Sequence, residues 1–210
     1  MHRIKSVFIL LLITTTSFGQ QSNLSVTEIN TLKDQVKAHS AKTKTILSDF
    51  EQFKHLDFLT NDIKTTGRLA FKAPDMVKWE YTEPYQYSIL FKNDKLYIND
   101  EGKKSDVNIN SGGGLFKKIN QLIVKSISGN MFDDNEFEIS YSQSPNTYIV
   151  SFLTKNPELK KYIKEFVLHF SKKDYAVIEV KNVEPTGDYS RIVFNNRKEN
   201  GTLDDAIFSN

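Results

Sequence analysis

The stretch GRLAFKAPDMVKWEYTEPY, residues 67–85, decides the architecture. It holds the only Trp of the chain, and prolines at 74 and 84 bracket its second half. On a strand, side chains two positions apart share a face. Gly67, Leu69 and Phe71 therefore fall on one face, with Thr66, Arg68 and Ala70 opposite. After Pro74 the same parity puts Val77, Trp79 and Tyr81 together, with Met76, Lys78 and Glu80 behind them. Proline cannot donate to a ladder, so Pro74 and Pro84 delimit the strand between them. The pattern predicts consecutive strands with one strongly aromatic face. Such a face either fills a closed core or is kept open for a guest.

Period two continues on both sides. TILSDFEQF (45–53) puts Ile46, Ser48, Phe50 and Gln52 on one face. YSILFK and KLYIND flank Asn93-Asp94, a pair suited to a hairpin turn. KKSDVNIN reads as a more polar, exposed strand. Further on, FEISYSQ and TYIVSFL flank Ser144-Pro145-Asn146, IKEFVLHFS and AVIEVKNV flank Lys173-Asp174, and the turn PTGD (185–188) leads into YSRIVFNN. Short sequential strands separated by turn signals predict an antiparallel meander.

Two segments read as helices. Residues 24–42 open with Ser25 and Glu28 at capping-box spacing and carry Ile29, Leu32 and Val36 at helical intervals. The second follows the glycine run SGGG (111–114), with Leu115, Ile119, Leu122, Ile123 and Ile127 on one stripe and Gly129 as its stop. An amphipathic helix behind a glycine hinge is either a lid or a cover packed on the sheet.

The first residues set the compartment. A basic MHRIK, the short apolar SVFILLLI and polar TTTSFGQQ have the three-part form of a secretory leader, with Ser17 and Gly19 at the −3 and −1 positions of a cut after residue 19. The apolar run is far shorter than the roughly 20 residues of a membrane span. The expected organisation is a cleaved leader at 1–19 and a single domain at 20–210 in the periplasm. With no cysteine in the chain, there is no acceptor for a lipid anchor, no disulfide and no thiol chemistry. Without Arg3 and Lys5, the 28 basic residues fall to 26 against 26 acidic ones, which argues against a nucleic-acid partner.

Catalytic groups are sparse. His39, His55 and His169 lie far apart and outside any two-His metal motif, and His169 reads as a structural histidine in an apolar strand. Adjacent residues on a strand point opposite ways, so neither Asp133-Asp134 nor Asp204-Asp205 forms a dyad. SGGGLF lacks the Lys-Ser/Thr of a phosphate loop. No enzyme activity, metal or cofactor is expected.

Four segments carry a family resemblance: DFEQF with Phe50 and Gln52, the stretch at 67–85, GDYSRIVFNN, and LDDAIF with Leu203, Asp204 and Phe208. In that order they resemble the LolA family, the periplasmic carriers of outer-membrane lipoproteins. The family often has Arg just before the signature proline, where this chain has Ala73. The resemblance implies a mainly β (α+β) fold: a single curved antiparallel sheet forming an unclosed barrel, with helices covering its mouth as a lid. It implies a lipid-binding cavity at Phe50, Leu69, Phe71, Val77, Trp79 and Tyr81, and a lid face at Leu115, Ile119, Leu122 and Ile123. The implied partners are acylated lipoproteins, an inner-membrane ABC-type releasing complex and an outer-membrane acceptor, and the carrier is expected as a monomer. A β-scaffold for protein partners, or a carrier of another lipid or hydrophobic ligand, is the alternative.

Overall fold

The computed structural model describes residues 21–108, 122, 124–127 and 129–209. The expected leader, the SGGG stretch and the expected lid residues Leu115, Ile119 and Ile123 lie outside the described residues. The strands are β1 Ser22–Asn23, β2 Thr45–His55, β3 Ile63–Lys72, β4 Met76–Glu83, β5 Tyr87–Lys92, β6 Lys95–Asp100 and β7 Lys103–Asn108. They continue as β8 Phe137–Gln143, β9 Thr147–Thr154, β10 Glu165–Ser171, β11 Val177–Val183 and β12 Tyr189–Glu199. All twelve join one sheet in the order β1-β8-β9-β10-β11-β12-β2-β3-β4-β5-β6-β7. Two antiparallel meanders, β2–β7 and β8–β12, are thus fused where β12 pairs with β2. Among the described residues β1 and β7 each have one partner, so the curved sheet does not close, as the family resemblance implied.

The turn chemistry follows the sequence. Asn93 and Asp94 both have positive φ, the conformation of a two-residue hairpin turn matched to strand twist. Strand β4 runs between the two prolines, as expected.

Pairing carries the aromatic face across the sheet. Ser48, Leu69, Trp79, Ile89 and Ile98 stand side by side from β2 to β6. On the other meander Tyr141, Val150, Leu168, Val180 and Ile192 form the matching row. Both rows face the concave side. Helix α1, Val26–Lys42, fills the second half of that concavity, where its Leu32 and Val36 pack with Phe152, Leu168 and Phe170. The first half holds a separate cluster of Ile46, Phe50, Leu69, Phe71, Val77, Phe91 and Leu96.

At the start of α1 the capping box is complete. The Ser25 hydroxyl accepts from the Glu28 amide, and the Ser25 amide donates to the Glu28 carboxylate at 2.8 Å. The Ser25 backbone and hydroxyl hydrogen bonds hold the Glu28 carboxyl below its ordinary 4.5. This support is present above that value and is lost as the pH falls through the lowered one. Ser25→Ala is expected to cost about 1 kcal/mol of stability in urea unfolding. Helical residues 122 and 124–127 end at Gly129, whose φ is +70°. A Cβ there would lie 3.1 Å from the Lys37 Cα of α1, so a glycine lets this segment lie against the helix.

The convex face is also partly covered. The sequence placed Ala70 opposite the aromatic row. In the structure it is buried with Leu90 beneath Phe208, and Leu203 and Ile207 pack alongside. A 3-10 turn, Asp205–Phe208, is capped by the Asp204 carboxylate, and Lys72 holds Asp205 at 2.5 Å. The short helix Pro157–Lys160, capped by Asn156 with Pro157 at its first position, was not expected, although Asn-Pro is a helix-start signal.

Candidate functional site

Between the two halves of the concavity lies a cavity of about 700 Å³. Its first wall is Ile46 and Ser48 of β2, Leu69 of β3, Trp79 and Tyr81 of β4, and Tyr87, Ile89 and Phe91 of β5, continued by Leu96 and Ile98 of β6. The facing wall is Phe166 and Phe170 of β10, Val177 and Val180 of β11, and Ile192 and Phe194 of β12. Val36, His39 and Ser40 of α1 and Leu122, Ser126 and Ile127 complete it.

Three of the six cavity residues expected from the sequence, Leu69, Trp79 and Tyr81, are on this wall. Phe50, Phe71 and Val77 share their face but lie buried beneath, in the same cluster. Phe50 meets both Trp79 and Tyr81 edge-on at centroid distances of 5.2 Å, so it positions the wall from behind. Of the four expected lid residues, Leu122 is described, and it is buried against the cavity. Sequence reading missed the facing wall and β5–β6. The signal was there, since Tyr87-Ile89-Phe91 and Ser190-Ile192-Phe194 alternate in the same way as the Trp79 strand.

The cavity has two unlike ends. One lies at the β11–β12 turn, where Glu184, Pro185 and Thr186 border it together with Lys161, Tyr162 and Tyr87. Several of these residues, including Lys161, Pro185 and Thr186, are exposed. The other end lies under the C-terminal end of α1, beside His39 and Arg197. Residues 190, 192 and 194 of β12 face inward, but the register slips between Asn195 and Lys198, and Asn196 takes a φ of +52°. This bulge turns Arg197, an odd-numbered residue, onto the inner face. Its Nη1 donates to the Val177 carbonyl at 2.9 Å, and its Nη2 lies 2.5 Å from Glu199, which His39 meets at 3.1 Å. The cluster ties α1 to β12 and β11 and narrows this end.

Tyr81 donates its hydroxyl to Gln52 Oε1 at 2.9 Å. Burial pushes its phenol from 10.0 up to about 12, with Tyr85 and Tyr87 adding to the shift. The neutral phenol is the form the fold favours. Its contribution to stability is complete below pH 10 and is lost as the pH rises through about 12. Alkaline difference spectra at the tyrosinate band are expected to show a late-titrating group that Tyr81→Phe removes.

The remaining candidates stand outside this site. His169, read from the sequence as a structural histidine, lies on the face of β10 opposite Leu168. It pairs across strands with Glu179 on the convex side, 3.8 Å away, and Arg191 meets the same carboxylate at 3.1 Å. Burial holds the His169 pKa below 6.5 despite Glu179. Asp133 caps its own loop through the Asn135 amide, and Asp204 caps the final turn.

The fold is an unclosed antiparallel half-barrel around an apolar hollow. The chain belongs to the family described as outer membrane lipoprotein carrier protein LolA, whose model matches residues 41–210. It is similar to an outer-membrane lipoprotein carrier protein of Chromobacterium violaceum, at 28% identity over 181 residues, covering 83% of this chain and 81% of the relative. Among solved structures, an uncharacterized conserved protein from Thermus thermophilus shares the fold with a TM-score of 0.53 at 7% identity, over 86% of this chain and 92% of that one. MucB shares it with a TM-score of 0.50 at 7% identity, over 89% of this chain and 64% of that one.

Proposed function

We propose that the protein, as a single periplasmic domain at 20–210, takes the acyl chains of lipoproteins into this cavity and carries them from the inner to the outer membrane. The observation that carries the reading is the hollow of about 700 Å³ walled by aliphatic and aromatic side chains from both meanders. Each methylene moved into it from water gains about 0.8 kcal/mol. A fully buried long acyl chain would gain on the order of 10 kcal/mol, and three would exceed the practical ceiling near −20 kcal/mol. A carrier must release, so burial is partial or is offset by contacts broken on loading. Leu122 and Ile127 line the wall, and displacing them on loading would supply such an offset. The lid role expected for Leu115, Ile119, Leu122 and Ile123 belongs to the same proposal, with Leu122 its one described member. Binding consumes no fuel, so direction comes from partners: an ATP-driven extractor at the inner membrane and an acceptor at the outer one. The reading includes no catalysis.

Trp79, the only tryptophan, makes the test direct. A brominated long-chain fatty acid should quench its fluorescence saturably, and unbrominated oleate should compete. Absence of quenching would exclude a lipid-accessible cavity. Photo-crosslinking from position 98 in cells should then capture acylated lipoproteins, and capture of free lipids alone would favour a different cargo.

A further inference from the structure

The loop joining β2 to β3 shows an unusual division of labour. Its polar groups are braced inward. His55 Nδ1 lies 2.9 Å from Asp62, its Nε2 lies 3.6 Å from Asp57, and its ring stacks on Tyr189 at 4.7 Å. The Asp57 amide donates to Asp188 at 2.9 Å, and the Leu59 amide closes a turn on the Leu56 carbonyl at 2.8 Å. Its large apolar side chains point the other way. Phe58 is 80% exposed, Leu59 38% and Ile63, at the foot of the loop, 44%. Collapse onto the sheet would hide these groups, but the brace holds them out in water.

The position of the loop gives the exposure a purpose. Asp57 and Asp188 join it to the β11–β12 turn, whose Glu184, Pro185 and Thr186 border the open end of the cavity. Tyr162 borders that end, and Tyr85 stacks on the cavity residue Tyr81 at 6.5 Å; each is about half exposed. Tyrosines with an apolar body and a polar tip favour the boundary between water and hydrocarbon.

We propose that Phe58 and Leu59 form a membrane-contact tip that seats the open end of the cavity against a lipid bilayer. Two side chains fall far short of the roughly 800 Å² per partner of a stable protein interface. A bilayer needs no complementary shape, only apolar groups able to enter its boundary. The tip is continuous with the mouth through which acyl chains would pass, so contact there would shorten the aqueous path of the cargo. That last step rests on the carrier reading, whereas the contact itself does not.

The absence of cysteine allows clean labelling of the exported protein. A polarity-sensitive nitrobenzoxadiazole probe on Phe58→Cys should brighten several-fold and shift to the blue with vesicles of phosphatidylethanolamine and phosphatidylglycerol. The same probe on Lys173→Cys, in the β10–β11 turn at the opposite end, should not respond. Wild-type protein should co-float with the vesicles, and Phe58→Asp/Leu59→Asp should lose most of that flotation while still binding the brominated fatty acid at Trp79. A silent probe at 58, or unchanged flotation of the double variant, overturns the proposal. Failure of fatty-acid binding in the wild type would instead overturn the carrier reading and leave the flotation result standing.

Discussion

Gly67→Val is expected to lower folding stability by about 3 kcal/mol. A Cβ at this position would stand 2.2 Å from the Glu80 carbonyl oxygen and 2.5 Å from Phe50 Cζ. The first is backbone and cannot rotate away. The second is a ring held edge-on between Trp79 and Tyr81. The register between β3 and β4 shifts at Thr66/Gly67, which draws the Glu80 peptide over the glycine. Urea unfolding should show the loss as a lower midpoint. Gly201→Ala, with nothing within 4 Å of its Cβ position, is the control and should shift it little. Equal midpoints for the two variants would mean that the Phe50 ring is not seated as described.

Ile98→Asp is expected to separate folding from binding. Ile98 lies on β6, on the cavity wall and only partly buried. In the empty protein a carboxylate there still meets water, so the unfolding midpoint should move modestly. A loaded acyl chain displaces that water, and desolvating an unpaired charge costs several kcal/mol. Fatty-acid affinity should fall roughly 100-fold or more. Acidifying toward the pH at which the carboxyl protonates should restore much of it, and Ile98→Asn should show no such recovery. Equal affinity for wild type and Ile98→Asp would place the acyl chain elsewhere.

The sequence carried most of the sheet because its strands alternate clearly and its turns use residues with specific backbone needs. Asn93-Asp94, Ser144-Pro145-Asn146 and the Pro74/Pro84 pair each stood where a strand ended. The capping box at Ser25 was readable for the same local reason. What the sequence could not carry was long-range. Alternation gives the parity of Phe50, Phe71 and Val77 but not their depth, and it took the pairing of β2 to β4 to place Phe50 behind Trp79. The facing wall on β10–β12 joins the first only because β12 pairs with β2, across more than a hundred residues of chain. Arg197 required a bulge, which inverts parity without an unmistakable sequence mark. The burial of Ala70 depended on the last turn folding back over the convex face, a contact that no periodicity announces.

The outer strands β1 and β7, each with one strand partner among the described residues, bear on what this sheet can accommodate. A closed barrel of hydrogen-bonded strands has a set circumference, and widening it means breaking a ladder. Here the two margins, β1 and β7, are not laced to each other among the described residues. The sheet can flex to a larger or smaller radius by changes of twist alone, with every rung intact. Under the carrier reading proposed above, a sheet of this design would adjust its gauge to tails of different girth without unfolding any part of its wall.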